Sequence, residues 1–225
     1  MVESKLELPD LPPLMDQAIL DPLLTQEELI TACDAGRQEN VRAICTTLRL
    51  LEPLRERLGK TGGPRLVAVV GFPFGSLPGE LKQMEAEWAA ARGAEELDMV
   101  PDFTALINQD SGAFAEEIAE VCELGLPVRV VLDMARLNED LITLAVDAAI
   151  DAGAAGLQTS NGFGPATSTT QVKQLLGLAR GRCAVKAAGG IHTPELAIEL
   201  VEAGASLLGT SSAPQLLQAL RRPAG

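Results

Sequence analysis

Short apolar runs recur along the chain, each ending in polar or glycine residues. Longer stretches separate them, in which apolar positions return every three or four residues. The runs cover residues 14–20, 41–45, 66–70, 97–100, 128–132, 156–159, 183–187 and 206–209. Their shortness and their bounding polar residues predict strands. The stretches between them, 81–92, 113–123, 138–152, 169–179 and 194–203 among others, predict amphipathic helices. Thr25, followed three residues later by Glu28, has the form of a capping box and predicts a helix running to about Arg37. Gly93-Ala94, Gly153-Ala154 and Gly204-Ala205 each fall between a helix and the next strand, where a left-handed glycine commonly ends a helix.

Each strand begins roughly 23 to 32 residues after the last, the repeat of a β/α unit. Eight such units in about 210 residues predict a closed (β/α)₈ TIM barrel, because an open doubly wound sheet more often stops at five or six strands. One domain over 14–225 is expected, preceded by a polar, proline-rich flexible arm over 1–13.

Charge narrows the partners. With 18 Lys and Arg against 31 Asp and Glu, the chain carries −13, which repels nucleic acid and acidic membrane surfaces alike. No uncharged apolar run reaches membrane-spanning length and no signal pattern opens the chain, so a cytoplasmic protein is expected. Cys33, Cys45, Cys122 and Cys183 lack C-x-x-C spacing and read as free buried thiols. His192 is the single histidine, too few for a histidine-rich zinc site. A Ser-His-Asp triad would have to use His192 on the loop after Gly189-Gly190-Ile191, and no metal or cofactor is expected.

In a barrel of this kind chemistry collects at the C-terminal ends of the strands. Asp98 interrupts the apolar Leu97-Asp98-Met99-Val100, and a carboxylate buried there without a partner would be costly. Lys186 interrupts Cys183-Ala184-Val185-Lys186-Ala187-Ala188 in the same way, with small residues leaving space ahead of its ammonium. A structural aspartate and a snorkelling lysine are the plainer alternatives. If both side chains point inward they neutralise one another across the barrel. Gly189-Gly190 and Gly209-Thr210-Ser211-Ser212, running into the helical Ala213-Pro214-Gln215-Leu216, offer backbone N–H groups and hydroxyls as a phosphate cradle. Ordinary turns are the alternative there. Thr159 and Ser160 join these as candidate binding residues, and Gln158 precedes them at the end of its strand.

From about Leu14 to Leu220 the chain resembles the deoxyribose-phosphate aldolase family. The resemblance is carried by Met15-Asp16 with Ile19-Leu20, Ala43-Ile44-Cys45, Val70-Gly71-Phe72-Pro73-Phe74-Gly75 and Glu96-Leu97-Asp98-Met99-Val100. Thr159-Ser160-Asn161-Gly162-Phe163-Gly164, Val185-Lys186-Ala187-Ala188-Gly189-Gly190-Ile191 and Gly209-Thr210-Ser211-Ser212 continue it. Family members are (β/α)₈ barrels, commonly monomers or dimers, that join acetaldehyde to glyceraldehyde 3-phosphate through a Schiff base on lysine. The resemblance puts that lysine at position 158, where the family's Lys-Thr-Ser-Thr-Gly-Phe-Gly becomes Gln158-Thr159-Ser160-Asn161-Gly162-Phe163-Gly164. It matches Asp98 to the proton-shuttling aspartate and Lys186 to the second lysine, whose charge lowers the nucleophile's pKa. Ala18 stands for a usual threonine, Asp21 for a lysine, Pro101-Asp102 for Ile-Asn, Arg129 for a lysine and Asp133 for a glutamate.

The expected ligand is a small phosphorylated sugar or aldehyde. With glutamine at position 158 the resemblance implies aldolase activity that is weak or lost. A phosphosugar-binding or regulatory protein, with a protein partner of unknown kind, is a second expectation. A different barrel reaction using Asp98 as base and Lys186 as electrophile is a third.

Overall fold

The computed structural model describes residues 9–221. Its eight strands are β1 (Met15–Ile19), β2 (Ala43–Thr46), β3 (Arg65–Val70), β4 (Glu96–Met99), β5 (Val128–Val131), β6 (Gly156–Gln158), β7 (Ala184–Ala188) and β8 (Leu207–Thr210). All pair in parallel and in chain order, and β8 returns to β1 to close the barrel. Every expected strand is present. Nine helices cover the outside among the described residues: α1 (Gln26–Gln38), α2 (Leu51–Leu58), α3 (Gly79–Ala91), α4 (Phe103–Ile107), α5 (Ser111–Cys122), α6 (Glu139–Asp151), α7 (Thr169–Ala179), α8 (Pro194–Glu202) and α9 (Ala213–Arg221).

Local signals set the helix ends. The Thr25 hydroxyl accepts from Glu28 N while Glu28 Oε2 accepts from Thr25 N at 2.8 Å, completing the capping box that opens α1. Ser168 and Gln171 build a second one at α7. Gly153 and Gly204, with φ of 95° and 107°, end α6 and α8 in the left-handed region that β-carbon-bearing residues avoid. Of the arm expected over 1–13, residues 1–8 lie outside the described residues. Packing begins before Leu14, because Leu11 is buried in the main core.

The period of two along each strand sorts side chains into two environments. Ile44, Leu66, Ala68, Val70, Leu97, Met99, Val128, Val130, Leu157, Val185, Ala187 and Leu208 face the helices. There they join Leu54, Phe114, Ile118, Ile142, Val172 and Leu200 in one continuous apolar core. The alternate positions face the barrel axis, and few of these are apolar: Ala43, Cys45, Val67 and Val69 form a small separate cluster. Ion pairs fill much of the rest of the interior, beside the uncharged Val131, Gln158 and Ala188.

Candidate functional site

The barrel interior holds a lattice of buried charges. Arg129 on β5 donates from Nε to Asp98 Oδ1 at 2.7 Å and from one terminal nitrogen to Glu96 Oε2 at 2.6 Å. Arg42 forks onto Asp16, at 2.8 and 3.1 Å, and onto both oxygens of Glu96, at 2.7 and 2.8 Å. Arg65 adds a contact to Glu96 from the rim at 2.6 Å. Lys186 Nζ bridges Asp98 Oδ2 at 2.7 Å and Asp16 Oδ2 at 2.8 Å. Cys45 Sγ lies 3.7 Å from the same Asp98 oxygen. The expectation that Asp98 and Lys186 neutralise one another across the barrel is met.

Two glycines make room for these cations. A β-carbon on Gly209 would sit 2.8 Å from Lys186 Cε, and one on Gly156 would sit 2.9 Å from Arg129 Cγ. Both separations are below any ordinary carbon–carbon contact. Small residues in β6 and β8 thus admit long cationic ones from β5 and β7.

The lattice fixes protonation states. For Lys186, burial favours the neutral amine, but Asp16 and Asp98 outweigh it and hold the group above the usual lysine range. Burial likewise pushes the Asp16 carboxyl up, and is overcome by Lys186, by the hydrogen bonds from Arg42 and by Arg129, which together hold it below its ordinary value. Glu96 is also held well below the usual carboxylate range: burial opposes this, and Arg42 and Arg129 outweigh it. Burial raises the Cys45 thiol, with Asp98 reinforcing the effect. Lys186 is an ammonium, and Cys45 stays protonated.

Above the lattice a cavity of about 580 Å³ opens at the C-terminal ends of the strands. Of the residues singled out from the sequence, Asp98, Gln158, Ser160, Lys186, Gly189, Gly190, Gly209, Thr210 and Ser211 line it. Thr159 and Ser212 do not. Thr159 is fully buried, its hydroxyl donating to Ala188 O and accepting from Ala188 N, so it ties β6 to β7. Ser212 Oγ is 3.5 Å from His192 Nδ1, an exposed contact. No carboxylate hydrogen-bonds that ring among the described residues, and the histidine triad has no support.

At the start of α9 two N–H groups are already engaged. Ala213 N donates to Gln17 Oε1 at 2.9 Å and Ser212 N to Thr210 Oγ1 at 3.0 Å, while Gln17 Nε2 donates to Ser211 O at 2.9 Å. Gln17, on β1, is thus a cap supplied from the far end of the chain. The mouth also has an aromatic wall: the Phe163 ring meets Phe72 and Phe74 edge-on, with centroids 5.8 and 5.6 Å apart. Asn161 Nδ2 donates to Pro73 O at 2.8 Å and fastens the β6 loop to the β3 loop that carries the other two rings.

Gln158, 7% exposed, projects from β6 beside Lys186, its register partner on β7. Its Nε2 donates to Ser160 O at 2.8 Å, and its Oε1 has no hydrogen-bond partner. Sequence reasoning at the strand ends passed over Asp16, Glu96 and Arg42. The signal that found Asp98, a carboxylate inside an apolar run, is equally present at Asp16 in Met15-Asp16-Gln17-Ala18-Ile19.

No family model matches the chain. Deoxyribose-phosphate aldolase of Thermosynechococcus vestitus is 37% identical over 213 residues, covering 94% of this chain and 98% of that one. Deoxyribose-phosphate aldolase of Thermococcus kodakarensis is 36% identical, covering 91% and 94%. Among solved structures, the tetrameric deoxyribose phosphate aldolase from Aeropyrum pernix superposes with a TM-score of 0.85 at 30% identity, over 95% of this chain and 92% of that one. The aldolase QR15 superposes with a TM-score of 0.89 at 31% identity, over 94% and 96%.

Proposed function

The chain belongs to the deoxyribose-phosphate aldolase family, and on that premise we propose that its cavity binds a small phosphorylated sugar or aldehyde with aldol chemistry reduced to a residual level or lost. One observation carries this reading: Lys186, the lysine that lines the cavity, is bridged by two carboxylates. An amine must be neutral to attack a carbonyl. At an ordinary lysine pKa, about one amine in a few thousand is neutral at pH 7, and Asp16 and Asp98 lower that fraction further. Gln158 stands where the family resemblance calls for the imine-forming lysine, and a carboxamide nitrogen cannot form one.

The polar end of a ligand would rest against Lys186, Asp98 and Gln158. The phosphate end would rest against Gly189, Gly190 and the Ser211 hydroxyl, because Gln17 and Thr210 occupy the N–H groups that open α9. Phe72 and Phe163, which line the cavity, would shield the middle.

Borohydride trapping with acetaldehyde, read by intact mass, tests the proposal. At pH 7 the protein should gain no adduct, while Gln158→Lys should gain one and cleave deoxyribose 5-phosphate at least ~10³-fold faster, the scale set by covalent catalysis. A stoichiometric adduct on the unaltered protein that vanishes in Lys186→Met would overturn it.

The Lys186–Asp98 contact favours a second reading. A fixed ammonium can polarise a carbonyl oxygen while a neighbouring carboxylate takes a proton from the adjacent carbon, as in an isomerisation. Deuterium uptake at that carbon in heavy water, without bond cleavage, would distinguish it.

A further inference from the structure

Seven buried side-chain atoms among the described residues lack a hydrogen bond: Glu39 Oε2, Arg55 Nε, Lys82 Nζ, Arg92 Nε, Glu117 Oε1, Arg129 Nη2 and Gln158 Oε1. Six belong to ion-paired side chains. Glu39 pairs with Arg221, Arg55 with Glu95, Lys82 with Glu117, Arg92 with Glu52, and Arg129 with Asp98, Glu96 and, at 3.8 Å, Asp16. Gln158 Oε1 alone has neither a hydrogen bond nor a counter-charge.

Its orientation is set by chemistry. The Ser160 carbonyl can only accept, so the amide nitrogen must face it and the oxygen must point elsewhere. The other buried polar residues lining this cavity have partners in the protein. Gln17 is satisfied at both ends, Thr210 Oγ1 donates to Ile191 O, Asn161 Nδ2 donates to Pro73 O, and Asp16, Asp98 and Lys186 hold one another. A buried acceptor left open is costly and calls for a partner. Gln158 lines the cavity, so a partner can approach from that side, and the side chain has to shift within the cavity to present an oxygen that is closed to solvent at rest.

Resting on the phosphosugar reading above, we infer that Gln158 Oε1 is a recognition point for a ligand hydroxyl, so that this site selects a sugar phosphate hydroxylated next to its carbonyl carbon over the 2-deoxy analogue. A carboxamide in place of an amine exchanges a nucleophile for an acceptor. The acceptor has use only for a ligand that brings an O–H donor to the inner end of the cavity. A methylene there brings the oxygen no donor, and sites built around a hydroxyl discriminate strongly against analogues that lack it.

Calorimetric titration of the full chain with ribose 5-phosphate and with 2-deoxyribose 5-phosphate tests the inference. The hydroxylated sugar should bind about tenfold more tightly or better. In Gln158→Met, which keeps the side-chain length and removes the acceptor, the two dissociation constants should converge, with thermal melting confirming that the variant is folded. Equal affinity in the unaltered protein, tighter binding of the deoxy sugar, or a preference that survives in folded Gln158→Met would each overturn it. Binding of neither sugar would instead sink the phosphosugar reading, and the inference would fall with it.

Discussion

The two faces of the same eight strands are built on opposite principles. Toward the helices, Leu97, Met99, Val128, Val130 and their neighbours fill the space with apolar atoms that need only shape. Toward the axis, one residue along in each strand, Glu96, Asp98 and Arg129 fill it with charge that needs partners at fixed distances. An apolar layer tolerates exchange of similar volumes. A buried charge lattice tolerates the loss of no single member, because each removal strands a desolvated partner. Stability is spread over the outer layer, whereas the inner lattice places Lys186 and Asp98 to within hydrogen-bonding precision at the floor of the cavity.

The most severe way to break this contrast is Arg129→Met, which strips Asp98 Oδ1 of its guanidinium donor and Glu96 Oε2 of one of its two. It should cost ~3–5 kcal/mol, measured by urea denaturation. Leu97→Ala on the other face of the neighbouring strand should cost a comparable ~2–5 kcal/mol through its cavity. A cost below ~1 kcal/mol for Arg129→Met, the range of surface ion pairs, would show that the lattice is dispensable.

Gly156→Ala sharpens the contrast at smaller cost. Its new methyl would press on Arg129 Cγ and, at 3.1 Å, on the Ala184 carbonyl; overpacking of this kind costs ~1–3 kcal/mol. In a double-mutant cycle with Arg129→Ala most of that penalty should disappear. Purely additive effects would mean that the glycine is there for the backbone instead.

The mildest handle is pH. Asp16 is held below its ordinary 3.8, so its stabilisation is complete above that value and is lost as pH falls through the lower folded-state value. Lys186 is held above its ordinary 10.5, so its stabilisation is complete below that value and is lost as pH rises through the higher one. The contribution of this pair to the urea midpoint should stay flat between these limits, and Asp16→Asn should blunt the acid limb. A decline of that contribution between pH 5 and 9 would contradict the assignment.

Much of the architecture was legible because its signals are local. A capping box spans four residues, a strand's alternation is visible within five, and a helix-ending glycine marks its own place, so Thr25, Gly153 and the eight apolar runs were sufficient to predict the barrel. Asp98 and Lys186 were legible for the same reason, as polar interruptions of apolar runs. The short helix Leu51–Leu58 passed without a prediction. Its sequence, Leu-Glu-Pro-Leu-Arg-Glu-Arg-Leu, carries a proline and no side-chain cap to announce it.

What the sequence determined by itself is the alternation of elements, the closure they imply and the polar interruptions at Asp98 and Lys186. Only the tertiary structure decided who meets whom. Lys186 reaches an aspartate 88 positions away, Gln17 caps a helix 196 positions away, and Gly156 yields its space to Arg129. Such pairings rest on strand register and barrel curvature, which arise from the packing of all eight units together. They set the charge of Lys186 and leave the oxygen of Gln158 open, and neither can be read from a one-dimensional pattern.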